Sequence, residues 1–279
     1  MINRKTYKVE PQIGIKSFYS FFKRYYKNGF HFGGEIHDFW ECVYVVDGSI
    51  QASGDGKVYD LFAGDIIFHK PLEMHKFSVT YESGATLMIF SYTLSGELAP
   101  YFKNKVFSLS NKQQGIIDDL LEFADTKTNI VKDNYEHYLF ASKNSPTYLQ
   151  RVATYIEQLF LSLADDGSTT SSLKTPEAIV FRTASRYMKN NIDSNVSVTD
   201  IAKACSISES GLKRIFTKYA GISVHKYFLN LKLSAASKLL QDGKNVTEVT
   251  DLLGFSSQSY FSAAFKRETG KPPSKVKKQ

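Results

Sequence analysis

One stretch of this 279-residue chain occurs twice. Val198-Thr199-Asp200-Ile201 matches Val246-Thr247-Glu248-Val249 at an offset of 48, while Phe216 and Gly221 match Phe265 and Gly270 at 49. One residue inserted at the intervening turn explains the slip. The apolar residues of each copy return at helical spacing, so the repeated unit reads as a short helix, a turn and a second helix. In the first copy the inward faces are Val198, Ile201 and Ala202, then Leu212, Ile215, Phe216 and Tyr219, with a turn at Cys205-Ser206-Ile207 and Ser208 as N-cap. The second copy uses Val246, Val249 and Leu252, a turn at Gly254, Ser256 or Ser257 as cap, and Phe261, Ala264 and Phe265.

Charge assigns the repeat a partner. The whole chain carries +7, but Lys174 to Gln279 holds 18 basic and 8 acidic residues, a net of +10, and residues 1–173 hold 17 and 20, a net of −3. A basic module joined to a mildly acidic one points to a polyanion-binding half and a half with another task. The outward residues are Ser208, Ser210, Lys213, Arg214, Thr217 and Lys218 in the first copy, and Ser257, Gln258, Ser259, Ser262, Lys266 and Arg267 in the second. Arg and Lys reach guanine acceptors or phosphates, Gln pairs with adenine and Ser/Thr serve either, so these faces suit a major groove. The nineteen residues Ser223 to Gln241 between the copies also read as a helix. Such a helix spans roughly 28 Å, against about 34 Å between successive major grooves on one face of the duplex.

Residues 176–279 resemble the AraC/XylS-type DNA-binding domain. The most specific stretch is Gly254-Phe255-Ser256-Ser257-Gln258-Ser259-Tyr260-Phe261-Ser262-Ala263-Ala264-Phe265-Lys266-Arg267-Glu268-Thr269-Gly270-Lys271-Pro272-Pro273. The resemblance implies a sequence-specific transcription factor binding double-stranded operator DNA. Three positions depart from the family pattern: Ala263 stands where Arg is frequent, Thr250 where a small Ala is usual, and Lys232 where Arg is frequent. The first recognition helix, with Lys213 and Arg214, is therefore expected to dominate readout.

The acidic half reads differently. Short segments rich in β-branched and aromatic residues follow one another: Phe39 to Val46 ending at Asp47-Gly48, a hairpin through Gly54-Asp55-Gly56, Asp65 to Phe68, His75 to Tyr81 and Ala85 to Tyr92. They predict an all-β barrel or sandwich. The period then becomes helical, over Gln113 to Phe123 and again between Pro146 and Asp165. There Leu149, Val152, Ile156, Leu159 and Leu163 form a two-heptad seam, expected to pair two chains in a homodimer. Asp165 to Ser172 reads as the core of a flexible linker.

His37-x3-Glu41-x6-Gly48 and Gly64-Asp65-x5-Pro71-x3-His75 resemble the two motifs of cupin barrels, as found in the sensor domains of the same regulator family. The resemblance implies a small-molecule effector, a carbohydrate among the options. Strand parity puts Glu35, His37 and Glu41 on one face, and the second motif brings His75 toward them. His69 and Glu73 are further effector-binding candidates, and Trp40, Tyr44, Phe68 and Phe77 are expected as stacking walls. A polar effector pocket is the reading adopted, with no cofactor. The alternatives are purely structural roles, or a metal site in which Glu35 replaces the first histidine of the usual pair. His31, His137 and His225 show no partner spacing.

The fold class is thus α+β multidomain: an N-terminal all-β cupin-like barrel with a helical dimerisation segment (1–164), a flexible linker (165–175) and a C-terminal all-α double helix-turn-helix (176–279). No apolar run long enough for a bilayer occurs, the N-terminus lacks a signal-peptide core, and Cys42 and Cys205 make no framework, so a cytoplasmic protein without catalytic residues is expected. The competing classes are a metal-dependent cupin enzyme fused to DNA-binding helices and an architectural DNA-binding protein.

Overall fold

The structure is a computed structural model, and it describes residues 6–80, 82–127 and 147–276. His137 lies outside the described residues. Eight strands form one antiparallel system: β1 (Gly14–Tyr26), β2 (Trp40–Gly54), β3 (Lys57–Phe62), β4 (Asp65–His69), β5 (His75–Val79), β6 (Ala85–Ser95), β7 (Val106–Ser108) and β8 (Ser168–Thr169). Their main order is β1-β6-β2-β4-β7-β8, while β3 and β5 both pair with β2. Strand β2 serves two sheets. Its first half pairs with β4 and β6, and Ser49 to Gly54 pairs with β3 and β5.

Asp47-Gly48, expected as a turn, is instead a bulge inside β2, where the register against β6 shifts. Gly48 takes φ +80°, and a Cβ there would stand 2.3 Å from the Gly84 carbonyl oxygen. The bulge bends the strand, which lets one segment close a barrel. The hairpin between β2 and β3 turns through Asp55 and Gly56, both at positive φ (54° and 78°), as a two-residue loop of matching twist requires.

Alternation along the strands sorts the core into two layers. Trp40, Cys42, Tyr44, Phe68, Phe90 and Tyr92 face α1 (Asn111–Lys127) and α2 (Tyr148–Asp166). Val43, Val45, Ile67, Phe77, Leu87 and Ile89 fill the barrel interior. The expected dimer seam belongs to the first layer: Val152, Ile156, Leu159 and Leu163 are fully buried within their own chain, and only Leu149 of the five is exposed. Tyr148 and Phe160 are buried beside them. The apolar stripe is thus broader than an a/d seam, which is the signature of a helix packed on its own domain.

The expected flexible linker is also tied down. Asp165 and Asp166 finish α2, Ser168 and Thr169 pair with β7, and the Leu173 amide donates to the Val58 carbonyl at 2.7 Å.

The C-terminal half comprises α3 (Pro176–Asn190), α4 (Val198–Ala204), α5 (Glu209–Ala220), α6 (Val224–Gln241), α7 (Val246–Leu252) and α8 (Gln258–Thr269). The repeat is structural as well as textual. Ser197 with Asp200 and Asn245 with Glu248 make equivalent capping boxes at the starts of α4 and α7. Gly221 and Gly270 end α5 and α8 in the left-handed conformation. Each copy has its own apolar cluster, one around Phe181, Ile201, Leu212 and Phe216, the other around Leu233, Val249, Phe261 and Phe265. Leu252, expected inward, is 49% exposed, and Leu253 fills the position instead. Among the described residues no helix is long and apolar enough to cross a membrane.

Candidate functional site

The recognition faces are built by caps and periodicity. Ser208 accepts a hydrogen bond from the Gly211 amide at 3.1 Å, and Ser257 accepts one from Tyr260 at 3.1 Å, so both second helices start at a serine cap. With Leu212, Ile215, Phe216 and Tyr219 buried, Ser210, Lys213, Arg214, Thr217 and Lys218 are left exposed on α5. On α8, Gln258, Ser259, Lys266 and Arg267 are exposed and Ser262 is half-buried. Arg214 and Lys218 both reach Glu177 of α3, at 3.4 and 2.6 Å. Lys218 thereby holds the Glu177 carboxyl below its usual range.

At one end of the barrel interior the strands bring together Glu35, His37, Glu41 and His75, whose donor atoms all lie within 4.8 Å of one another. Glu41 shares the inward face of β2 with Val43, opposite His69 of β4 and Ser91 of β6. Glu35 and His75 form an isolated bridge. The Nε2 of His75 stands 3.3 Å from Glu41 and 3.5 Å from Glu35, and that of His37 stands 3.7 and 3.8 Å from the same carboxylates. Burial would raise the Glu41 carboxyl, but the two imidazoles outweigh it and hold it well below the carboxylate range. Burial would likewise lower His75, yet Glu35 and Glu41 push it up to about 10.

His69 and Glu73 form a separate pair behind this group. Their Nδ1 and Oε1 lie 3.1 Å apart, and the His69 ring stacks on His75 with centroids 4.3 Å apart. Burial lowers His69, while Lys70 and His69 outweigh burial at Glu73 and hold it near 2. Of the expected stacking walls, Tyr44 and Phe68 pack toward the helices and Phe77 sits in the barrel core. Trp40, mostly buried, edges a cleft of about 1280 Å³ between the barrel and the C-terminal half, beside Asp38, Phe39 and Glu73. Phe39, which the sequence reading passed over, stacks on His37 at 3.8 Å and on Tyr19 at 4.1 Å. His31 bonds Ser78 at 2.9 Å, and His225 is exposed.

The polar cluster adjoins the C-terminal end of α5. Lys76, next to His75, donates to the Thr217 and Lys218 carbonyls at 3.1 and 2.9 Å, capping the C-terminal end of α5 with a positive charge. Ser53 donates to the Tyr219 carbonyl. A Cβ on Gly34 would stand 2.7 Å from the Ala220 carbonyl oxygen, so the backbone beside Glu35 lies flush against the end of α5.

A barrel with a polar interior group, set against a doubled helix-turn-helix, defines a DNA-binding transcriptional regulator with a ligand-binding domain. Comparison with known proteins makes this specific. Residues 17–111 match a family model described as an AraC-like ligand binding domain, and residues 201–279 match one described as a helix-turn-helix domain. The Msm operon regulatory protein of Streptococcus mutans is 26% identical over 264 residues, covering 90% of this chain and 88% of the relative. The HTH-type transcriptional activator RhaS of Mannheimia succiniciproducens is 24% identical, covering 88% and 89%. The solved AraC-type DNA-binding regulator from Chromobacterium violaceum is 33% identical over 34% of this chain and 85% of that one, with a TM-score of 0.33. The chain thus carries a helix-turn-helix domain and an AraC-like ligand binding domain, and the relatives it resembles over most of its length are transcriptional regulators.

Proposed function

We propose that this regulator reads an operator with the exposed faces of α5 and α8 and that a small hydroxylated effector of the sugar class, entering beside Glu35 and His37, alters how those faces are presented. The barrel with α1 and α2 (1–164) is the effector unit, α3 to α8 (176–279) the DNA unit, and 165–175 the join. The observation that carries the reading is Lys76: it neighbours His75 in the polar cluster and its ammonium caps α5. An effector that shifts β5 therefore moves the cap of a recognition helix.

The hydroxylated class is supported by carboxylates and imidazoles that are arranged with the Phe39 ring at the edge of the cleft. The proposal is regulation rather than catalysis, by a cytoplasmic homodimer. Exposed Leu161, on the side of α2 away from the buried stripe, supports self-association there, since the seam itself is buried. The test is a fluorescence-anisotropy titration of the full chain on fragments recovered by genome-wide binding, with and without a panel of sugars. The expected result is a fragment-specific affinity that one sugar changes several-fold. Affinity equal to that for unrelated DNA would overturn the operator reading, and indifference to every sugar would overturn the effector class.

A further inference from the structure

The hydrogen bonds of the two histidines decide what their inner nitrogens can do. His37 Nδ1 lies 3.0 Å from the Phe39 carbonyl oxygen, and His75 Nδ1 lies 3.0 Å from that of Glu73. A carbonyl only accepts, so Nδ1 carries the proton in both rings and Nε2 is the atom each ring presents inward. Both Nε2 atoms are buried and neither has a hydrogen-bond partner. The His75 side chain is 3% exposed. What faces them is a pair of carboxylates, whose charge the His75 imidazolium offsets while no ion is bound and a cation would offset in its place.

The distances separate two ways of filling that centre. A charge-assisted N–H to carboxylate bond closes to about 2.7–2.9 Å, and the four nitrogen–oxygen separations here, 3.3, 3.5, 3.7 and 3.8 Å, are all longer. Donors held about 2.1 Å from one ion stand about 3.4 Å apart at tetrahedral angles and about 3.6 Å apart at 120°. The four separations bracket those values, with Glu41 turning Oε1 to His75 and Oε2 to His37; the four donor atoms as a set lie within 4.8 Å of one another, so binding one ion draws the widest pair inward. The outer contacts also match those of a metal site: each imidazole is oriented through Nδ1 by a backbone carbonyl, and Glu41 accepts from Ser91 Oγ at 2.8 Å.

We infer that Glu35, His37, Glu41 and His75 bind one divalent first-row transition ion through two imidazole nitrogens and two carboxylates. Two carboxylates balance the ion's charge in a setting where a bare carboxylate pair is costly. Imidazole in half of the donor set favours zinc, iron or nickel over magnesium or calcium, and the two carboxylates leave room for manganese. This departs from the reading of the sequence, which expected no metal. The inference goes beyond the effector proposal and needs neither sugar nor DNA.

The experiment uses the full chain, stripped with chelator, desalted and titrated calorimetrically with Zn²⁺, Mn²⁺ or Ni²⁺, with Mg²⁺ as control. The expected result is one transition ion per chain, no Mg²⁺ uptake, and a Co²⁺ adduct with d–d absorption. His75→Ala should abolish binding. Glu35→Gln should weaken it at least ten-fold, and because the Glu35 side chain is 42% exposed this variant keeps its fold if His75→Ala does not. Melting in chelator checks both. Uptake no greater than for Mg²⁺, or equal affinity in wild type and Glu35→Gln, would overturn the site. Ion uptake with no sugar response supports the site and counts against the effector reading, and a sugar response without ion uptake does the reverse.

Discussion

Ser206 and Gly254 hold the same place in the two helix-turn-helix turns, both at positive φ (55° and 60°). The left-handed conformation costs a residue with a Cβ about 1–2 kcal/mol, while glycine loses about 0.5–1 kcal/mol more entropy on folding. Ser206→Gly should therefore stabilise the protein by about 0.5–1 kcal/mol in a denaturant melt. The reverse exchange is not equivalent. A Cβ on Gly254 would stand 2.1 Å from the Asp193 carbonyl oxygen, a backbone atom that cannot swing away. Gly254→Ala should cost about 2–3 kcal/mol, and similar small effects at both positions would contradict this account. The same scale shows what strand parity can reveal. Glu41 and His75 were legible because period-two alternation turns them inward, whereas Glu35, in an isolated bridge, and His37, in the loop before β2, reach the same point without a strand's period. The aromatic walls were misread for the same reason: Trp40 flanks Glu41 and Phe68 flanks His69, so alternation points them to the opposite layer. Phe77 shares the face of His75 but lies deeper, in the barrel core.

Among the elements, those with a clean period were legible and those with a broken one were not. Helix α6 (Val224–Gln241), capped by Ser223, differs from its expected span by that cap alone. Strand β1 escaped notice because register shifts between Ile15 and Ser17 and between Phe18 and Ser20 break its alternation. Helix α2 shows a true ambiguity, since 3,4-spacing serves a coiled coil and a core-facing helix alike, and only the burial of Tyr148 and Phe160 widens the stripe. Ile156→Asp should accordingly unfold the barrel, lowering its melting temperature sharply, rather than yield a folded monomer by sedimentation. The recognition helices give a prediction of unequal weight. Helix α5 presents Lys213, Arg214 and Lys218, whereas α8 has Ala263 in the middle of its exposed face. Arg214→Ala should cost operator affinity about 1–3 kcal/mol, and Gln258→Ala clearly less, so equal losses in a binding titration would contradict the ordering. Glu177 pairs with Arg214 and Lys218, and on the proposed reading it would compete with DNA for them. Glu177→Gln should raise affinity a few-fold at low salt, with the gain shrinking as salt rises.

For the whole molecule, the split of charge into +10 and −3 located the DNA-facing half but gave no hint of how the halves meet. Contacts between domains have no period, so they leave no pattern in a single sequence. The structure joins the halves through the β2–β3 hairpin. Val58 of β3 is buried in the same cluster as Phe181, Leu212, Phe216 and Tyr227 of the first helix-turn-helix unit. Around it, Lys189 pairs with Asp55 at 2.6 Å, the Leu173 amide bonds the Val58 carbonyl, and Lys76 and Ser53 hold the end of α5. Exposed pairs such as Lys271 with Asp38 add little beside this. Burying a valine side chain contributes about 1.5–3 kcal/mol, and a charge in its place would have no partner in an apolar cluster. Val58→Asp should therefore separate the halves without unfolding either, because each keeps its own core. Calorimetry should then resolve two transitions where the wild type shows coupled melting. Operator affinity should become independent of effector while remaining specific, because the faces of α5 and α8 are untouched. A variant that melts in two transitions and still responds to effector would show that coupling runs elsewhere, and the cap on α5 by Lys76 would lose its role.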